Sequence, residues 1–256
     1  MGSGQRIARL MLSGLTNLLY PADGQCPFCG RFVTCLRFPD ICLDCRRALL
    51  ASPGFRNHWQ QSGSLRFVGG DRGERTVPLI CCGEYEDPLQ DLVHRLKYRN
   101  KTWLSRPLGA LLWRRLLVAG VTEPVVIVPV PLSRARERRR GFNQSALLAA
   151  ELASRLRRAS GIDAVPCHLL MRHRHTRPQV GLPLEKRVLN VVGAFSVHER
   201  LAQRLKRAAS IGEGPGGTII LLDDVVTTGT TMKECSSVLA RAGFERLVAA
   251  AVCRLK

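Results

Sequence analysis

The sequence has few aromatic side chains and few acidic ones. Phe, Tyr and Trp make up 5% of its 256 residues, and 39 lysines and arginines outnumber 20 aspartates and glutamates, for a formal net charge of +19. Scarce aromatics argue against a protein that binds single-stranded nucleic acid by stacking base after base. The positive charge favours polyanionic partners, which include nucleic acids and diphosphate-bearing small molecules alike.

Long apolar runs and internal repeats are missing as well. No apolar stretch reaches the length of a membrane-spanning helix, so we expect no stable membrane insertion. Residues 1–20 pair Arg6 and Arg9 with apolar residues at helical spacing, without a small-residue cleavage site. This pattern predicts an amphipathic packing helix rather than a targeting segment.

The cysteines are unevenly spread. Of ten, five fall within residues 26–45, and four of these form two C-x₂-C pairs: Cys26, Cys29, Cys42 and Cys45. Four thiolates at this spacing predict a structural zinc site with no open position for catalysis. A redox pair would use one C-x-x-C and leave the other without a role. Metal ligation favours a reducing compartment, the cytoplasm, over disulfides. Cys35, between the pairs, is a spare thiol or an alternative ligand.

The chain divides by composition into three parts. Residues 1–51 hold the N-terminal helix and the cysteine module, residues 52–76 form a polar, glycine-rich linker, and residues 77–256 form the main domain. Strand patterns at 76–85, 125–131, 219–222 and 247–252 alternate with helical patterns. Such alternation predicts an α/β fold with a mostly parallel sheet and helices on both faces.

One stretch combines a buried strand, two carboxylates and a hydroxyl-rich turn. Four apolar residues, 219–222, are followed by Asp223 and Asp224, and the turn 227–231 leads into a helix. Gly229 lets the backbone approach a ligand, while hydroxyls and helix N-terminal amides donate to phosphate. Carboxylates suit ribose hydroxyls or the water shell of Mg²⁺. The stretch therefore predicts a ribose 5-phosphate site. The alternative is an ordinary strand-to-helix turn capped by threonines.

Two basic segments accompany this stretch. The first is a loop at 132–144 between a strand and a helix, and its five arginines are Arg134, Arg136, Arg138, Arg139 and Arg140. At the carboxyl end of a strand they favour contact with pyrophosphate or nucleic acid, although a solvated loop is the alternative. The second segment, 172–187, is broken by proline and glycine and predicts a lid over the site.

Together these segments resemble the ComF-type family of phosphoribosyltransferase-like proteins, over about residues 15–256. The matching motifs are the four-cysteine pattern, Val128-Pro129-Val130-Pro131 with Arg140-Gly141-Phe142-Asn143-Gln144, Thr176-x-x-Gln179-x-x-Leu182 with Arg187 and Asn190, and Asp223-Asp224-Val225-Val226-Thr227-Thr228-Gly229. The resemblance implies a type I phosphoribosyltransferase-like sheet behind a zinc module. It also implies binding of phosphoribosyl pyrophosphate (PRPP) with Mg²⁺, and an association with DNA uptake in competent bacteria.

The resemblance also implies roles for individual residues. The predicted catalytic residues are Asp223, Asp224, Arg139 and Arg140. The predicted PRPP-binding residues are Asp223, Asp224, Val225, Thr227, Thr228, Gly229, Thr230, Thr231, Arg134, Arg136 and Arg187. In these roles the aspartates hold an oxocarbenium-like ribosyl centre electrostatically, and the arginines stabilise the departing pyrophosphate.

Two hypotheses about function stay open at the level of sequence. The first is a phosphoribosyltransferase or PRPP-binding relative whose acceptor the motifs do not define. The second is a non-enzymatic protein that handles single-stranded DNA, with competence proteins as partners, on the same fold. The sequence does not determine the oligomeric state.

Overall fold

The computed structural model describes residues 26, 28–31, 41–52, 55, 63–69, 73–99, 101–173, 193–210 and 218–255. Several predictions from the sequence lie outside these residues. They are the N-terminal amphipathic helix, the role of Cys35, and most of the predicted lid, including Thr176, Gln179, Leu182, Arg187 and Asn190.

The described residues form an alternating series of helices and strands. The helices are α1 (Leu43–Ala51), α2 (Leu89–Tyr98), α3 (Ser105–Val118), α4 (Arg134–Arg140), α5 (Gln144–Ser160), α6 (Glu199–Ser210) and α7 (Thr230–Arg241), with a 3₁₀ turn at Thr102–Leu104. The strands are β1 (Gly63–Val68), β2 (Glu74–Glu84), β3 (Val125–Pro129), β4 (Ala164–Pro166), β5 (Leu170–Arg172), β6 (Phe195–Val197), β7 (Thr218–Val226) and β8 (Arg246–Arg254).

Six of these strands form one sheet in the order β1–β2–β8–β7–β3–β4. Strands β2, β8, β7, β3 and β4 run parallel, and β1 joins the edge antiparallel to β2. The α/β class and the mostly parallel sheet predicted from the sequence are confirmed. Strands β5 and β6 form a separate antiparallel pair.

Strand β1 lies inside the stretch that the sequence analysis treats as a linker. Its alternation of buried Leu65 and Phe67 with exposed neighbours is the period-two pattern of a strand with one buried face. The Gly69 amide donates to the Gly73 carbonyl at 2.9 Å and closes the hairpin to β2. The abundance of glycine conceals this pattern in the sequence, and the sheet begins before residue 77.

Apolar side chains cover both faces of the sheet. One cluster packs α1, α2, α3 and α5 against one face, and the other packs α6, α7 and the β5–β6 pair against the opposite face. Cys26, Cys42 and Leu49 of the N-terminal module belong to the first cluster. Within the described residues, no helix is both long enough and apolar enough to cross a membrane.

Strands β3 and β7 are neighbours whose connections leave in opposite directions. Helix α5 follows β3 on one face and leads to β4, whereas α7 follows β7 on the other face and leads to β8. The carboxyl ends of two such strands border a crevice, which is where open parallel sheets bind ligands. The Val130 amide donates to the Leu222 carbonyl at 2.9 Å and holds the two strand ends together.

Two local predictions at this edge are wrong. Strand β7 continues to Val226, so Asp223 and Asp224 lie within it rather than after it, because β8 pairs with the strand as far as that residue. The arginine segment is a helix, α4, rather than a loop. Ser133 caps its start by accepting from the Arg136 amide, and Gly141 ends it with φ at 83°.

Candidate functional site

The acidic pair lies on β7 beside the carboxyl end of β3. Successive side chains of a strand point to opposite faces of the sheet. Asp224 accordingly meets α2 on one face, while Asp223 lies near α7 and β5 on the other. The two carboxylates therefore have different surroundings, although they are adjacent in the chain.

Asp224 forms an ion pair with a lysine from the end of α2. Lys97 Nζ lies 3.0 Å from Asp224 Oδ1, and the two side chains are 17% and 4% exposed. Burial lowers the pKa of Lys97, but the attraction of Asp224 and then Asp223 outweighs it and leaves the pKa raised. Among the described residues, no donor reaches the other carboxylate oxygen, Oδ2 of Asp224, which is buried. A buried acceptor without a donor is uncommon in folded proteins.

Asp223 is held by a serine at the start of α5. Ser145 Oγ donates to Asp223 Oδ1 at 2.8 Å, and the amide of Asp224 donates to the same oxygen at 2.9 Å. Burial raises the pKa of Asp223 to about 7, and the neighbouring charge of Asp224 acts in the same direction. Lys97 and the two hydrogen bonds act against this rise. Asp223 therefore changes its charge near neutral pH.

The hydroxyl-rich turn follows β7 directly. Thr227 and Thr228 are exposed, and Thr228 Oγ1 lies 2.9 Å from Thr230 Oγ1. Gly229 has φ at 75°, a left-handed conformation that favours glycine, and a Cβ there would lie 2.9 Å from Leu65 Cδ2, so the leucine side chain would have to shift. Helix α7 begins at Thr230, and the free amides of its first turn face this loop. The predicted Thr231 lies in that first turn, and Val225 packs half-buried against the apolar cluster.

The arginines of α4 divide between two sides of the helix. Arg136 and Arg140, four residues apart, are half-buried, whereas Arg134, Arg138 and Arg139 are exposed. Arg140 donates to Gln144, the first residue of α5, and its guanidinium lies 5.3 Å from the centre of the Tyr98 ring. Of the predicted arginines, Arg136 and Arg140 thus face the interior, and Arg134 and Arg139 face solvent.

Arg172 adds a further cation from the opposite face of the sheet. It is the last residue of β5, so the segment predicted as a lid begins on a strand, and its guanidinium lies 5.1 Å from the centre of the Phe195 ring. Burial lowers the pKa of Arg172, as does the positive charge of Arg136, while Asp223 raises it. Arg172, Arg136 and Asp223 are therefore near neighbours, and two cations beside each other favour an anionic ligand.

Lys97 and Ser145, the side-chain partners of the acidic pair among the described residues, are not among the residues predicted from the sequence. A lysine in the last turn of a helix is ordinary, so nothing in the sequence separates Lys97 from a solvated one. Ser145 stands two residues after Asn143, whose side chain caps α5 by accepting from the Ser145 amide at 3.0 Å. The sequence shows the capping residue, but it does not show the hydrogen bond from Ser145 to Asp223.

The four predicted zinc ligands do come together. The sulfur atoms of Cys26, Cys29, Cys42 and Cys45 all lie within 4.8 Å of one another. Four sulfurs placed about 2.3 Å from a shared zinc ion at tetrahedral corners stand about 3.8 Å apart. The distance from Cys29 Sγ to Cys42 Sγ is 3.8 Å. The cluster therefore fits a zinc ion held by sulfur alone, and its four ligands are separate from the residues that contact the acidic pair.

This geometry predicts one zinc ion per chain. Cys42→Ser should reduce the zinc content of the purified protein well below one equivalent, because serine is a poor zinc ligand. Atomic absorption measures the content. Cys167→Ser, at a half-buried thiol outside the cluster, is the matched control and should keep its zinc. Full zinc content in the Cys42 variant would rule out this ligand set.

The raised pKa of Asp223 predicts a pH-dependent cost to stability. Its folded-state pKa of about 7 exceeds the unfolded value of about 3.9, so the folded protein binds more protons between these values and loses stability as pH rises through them. The free energy of unfolding of the Asp223→Asn variant, relative to that of the wild type, should therefore rise between pH 5 and pH 8 by on the order of 2 kcal/mol. Urea denaturation at each pH measures the gain. Asp163→Asn, at an exposed carboxyl, should show none, and parallel curves for the Asp223 variant and the wild type would refute the prediction.

The chain is similar in sequence to characterised bacterial proteins, although no family model matches it. It is 35% identical to competence protein F of Haemophilus influenzae over 66% of this chain and 69% of that protein. It is 31% identical to DNA utilization protein YhgH of Escherichia coli over 90% of this chain and 83% of that protein. With competence protein ComFC of Bacillus subtilis it shares 28% identity over 62% of this chain and 56% of that protein.

These similarities match the resemblance found in the motifs. The first two exceed 30% identity and cover more than two thirds of each relative. The chain carries the mostly parallel sheet and the N-terminal four-cysteine cluster expected from the motifs. It belongs to the ComF-type family, together with competence protein F and DNA utilization protein YhgH.

Proposed function

We propose that this protein binds PRPP at the carboxyl edge of β3 and β7, as a phosphoribosyltransferase-like protein that acts in DNA uptake. The observation that carries the proposal is the arrangement of acids, hydroxyls and cations around one crevice. Asp223 and Asp224 lie on β7, the threonine turn follows them, and the half-buried Arg136 and Arg140 follow β3. This order matches a ribose flanked by a phosphate on one side and a diphosphate on the other.

The ribose would lie against the acidic pair. The buried Oδ2 of Asp224 has no donor among the described residues, and a sugar hydroxyl would supply one. Lys97 Nζ lies 3.0 Å from Oδ1 of the same carboxylate, and charge-assisted hydrogen bonds are stronger than neutral ones. Ser145 fixes Asp223 by one oxygen.

The two phosphate-bearing ends would lie on either side of the ribose. For the 5-phosphate, the turn at 227–231 offers hydroxyls and the first amides of α7, and Gly229 removes the side chain that would obstruct them. For the diphosphate, Arg136 and Arg172 offer neighbouring guanidinium groups whose repulsion an anion would relieve. Arg187, outside the described residues, stays a prediction, as do the exposed Arg134 and Arg139.

Mg²⁺ belongs to this proposal as the counter-ion of the diphosphate. Lys97 already places a positive charge 3.0 Å from Asp224 Oδ1, which disfavours a second cation in direct contact with that oxygen. Asp223, with one oxygen held by Ser145, fits the water shell of the ion better. When bound, the ion neutralises charge on the diphosphate.

Transfer of the ribosyl group follows from the same charges. Departure of pyrophosphate leaves positive charge on the ribose and negative charge on the leaving group. The carboxylates of Asp223 and Asp224 stabilise the first, and the guanidinium groups of Arg136 and Arg140 stabilise the second. An acceptor would attack the ribosyl carbon and form the new bond to it as the bond to pyrophosphate breaks.

PRPP with Mg²⁺ should therefore stabilise the folded protein. At 100 times its dissociation constant, the ligand should add about 2.7 kcal/mol to the free energy of unfolding, measured by urea denaturation. Asp223→Asn with Asp224→Asn should abolish this gain. Thr228→Val should weaken it while leaving the buried ion pair intact, and so separates lost binding from lost folding.

The matched control is Asp91→Asn with Asp163→Asn, which removes two negative charges away from the crevice and should keep the full gain. The proposal fails if PRPP does not stabilise the wild type. It also fails if the Asp223 and Asp224 variant is stabilised as strongly as the wild type.

A second function, binding of single-stranded DNA, has support of its own. The relatives are named for competence and for DNA utilization, and this chain carries a formal net charge of +19. Arg134, Arg138 and Arg139 form an exposed row of guanidinium groups on α4. Phosphates of a DNA backbone would fit this row.

Binding through phosphates should depend steeply on salt. The logarithm of the association constant should fall against the logarithm of salt concentration with a slope of about −0.7 per contact for a single strand. Arg138→Ala with Arg139→Ala should make this slope about 1.4 less steep, measured by fluorescence anisotropy of a labelled oligonucleotide. Arg246→Ala, at the amino end of β8 where the arginine pairs with Glu123, should leave it unchanged. A slope near zero for the wild type would exclude this function.

A further inference from the structure

Tyr98 is an exposed aromatic side chain at the last position of α2. It is 61% exposed, and it is the one aromatic among the large apolar side chains that are exposed in the described part of the chain. A tyrosine ring in water leaves apolar area uncovered that packing would bury favourably. Aromatic residues make up only 5% of the chain, so an exposed aromatic ring is uncommon in this protein.

Cationic and aromatic groups surround this ring. The guanidinium of Arg140 lies 5.3 Å from the ring centre, and the ring of His94, one turn earlier on α2, lies 4.8 Å away at a tilt of 43°. Arg140 also donates to Gln144 at the start of α5, which restricts where the guanidinium can lie. A flat guanidinium beside a flat ring forms a surface that suits stacking of another planar group.

The ring also adjoins the acidic pair. Lys97, the preceding residue, holds Asp224, and Gln144, the partner of Arg140, precedes Ser145, which holds Asp223. A second tyrosine, Tyr85, lies among the same groups. Burial raises its pKa, and the charges of Lys97, Asp224 and Tyr98 all reach it. Two of the three tyrosines of the chain therefore lie at this one corner of the crevice.

The charge around Tyr98 favours a nucleic acid over a neutral partner. Arg99 and Lys101 follow it directly and are exposed, and Arg138 and Arg139 extend from α4. Phosphates on either side of a stacked base would meet these cations. A single exposed ring also fits the scarcity of aromatics, because one base can be held here while its neighbours are bound through their backbone.

We propose that the Tyr98 ring, with the guanidinium of Arg140, stacks one nucleobase of single-stranded DNA beside the acidic pair. The inference rests on the proposed ligand-binding role of this edge of the sheet, and it deepens that role by naming a nucleobase of single-stranded DNA as a group that would lie beside the crevice. A base held here has its sugar and phosphates next to the crevice. The strand is then positioned by one stacking contact and several phosphate contacts.

The test compares two oligonucleotides with the same phosphates. Fluorescence anisotropy measures the affinity of the full-length protein for a labelled oligothymidylate of about 15 nucleotides and for an oligomer of equal length made of abasic sites. Tyr98→Ala should weaken oligothymidylate binding about 5- to 150-fold, the range of one lost base stack, and leave abasic binding unchanged. Tyr98→Phe should keep the affinity within about twofold, since stacking uses the ring and not the hydroxyl.

A control variant and three contrary results separate base stacking by Tyr98 from other causes of lost binding. Val118→Ala, at an exposed apolar side chain on α3, should leave both affinities unchanged. Equal loss for both oligomers in Tyr98→Ala, or no loss for oligothymidylate, would overturn the inference. So would a Tyr98 dependence seen only with thymidine 5′-monophosphate, which would assign the site to a free nucleotide. Tyr98-dependent binding of oligothymidylate by a wild type that ignores PRPP would leave the stacking site standing and refute PRPP binding alone.

Discussion

The contact between Lys97 and Asp224 is the constraint on which the arrangement of this site depends. It joins the end of α2 to the carboxyl-terminal part of β7 at 3.0 Å, and both side chains are largely buried. Loss of one partner from a buried ion pair costs about 3–5 kcal/mol, because the remaining charge has no compensation. The pair therefore fixes α2 over the crevice, and with it the position of Tyr98, the next residue in the chain.

Hydrogen bonds from the start of α5 form the other side of the crevice. Ser145 binds Asp223, and Asn143 donates from its side chain to the Val130 carbonyl at 3.0 Å. These contacts set the start of α5 against the ends of β3 and β7, and they determine where α4 ends and where Arg140 lies. Lys97 and Ser145 thus hold the two acids in different states. Asp224 is paired with a cation, whereas Asp223 has a pKa raised to about 7 by burial.

This asymmetry separates the roles that the two carboxylates can take. A carboxylate compensated by a fixed lysine has its charge balanced within the fold, and no donor among the described residues reaches its second oxygen. An acid that titrates near neutral pH responds to whatever charge is brought beside it. The cations meet the crevice from both faces of the sheet, since Arg136 and Arg140 come from α4 and Arg172 comes from β5. Cations that are far apart in the sequence therefore lie near the same pair of carboxylates.

Local signals in the sequence determined the parts of this protein. The cysteine spacing determined the four-sulfur cluster, alternating patterns determined the parallel sheet, and the run from Ile219 to Thr231 determined a strand with an acidic pair that leads into a turn. Short-range patterns encode such features because backbone periodicity and side-chain chemistry act over a few residues. Tertiary structure alone decided which side chains meet. Ser145 and Asp223 are 78 residues apart in the chain, and Lys97 and Tyr98 reach the site only because α2 packs beside β7. Such contacts depend on how whole elements pack, and no local pattern records them.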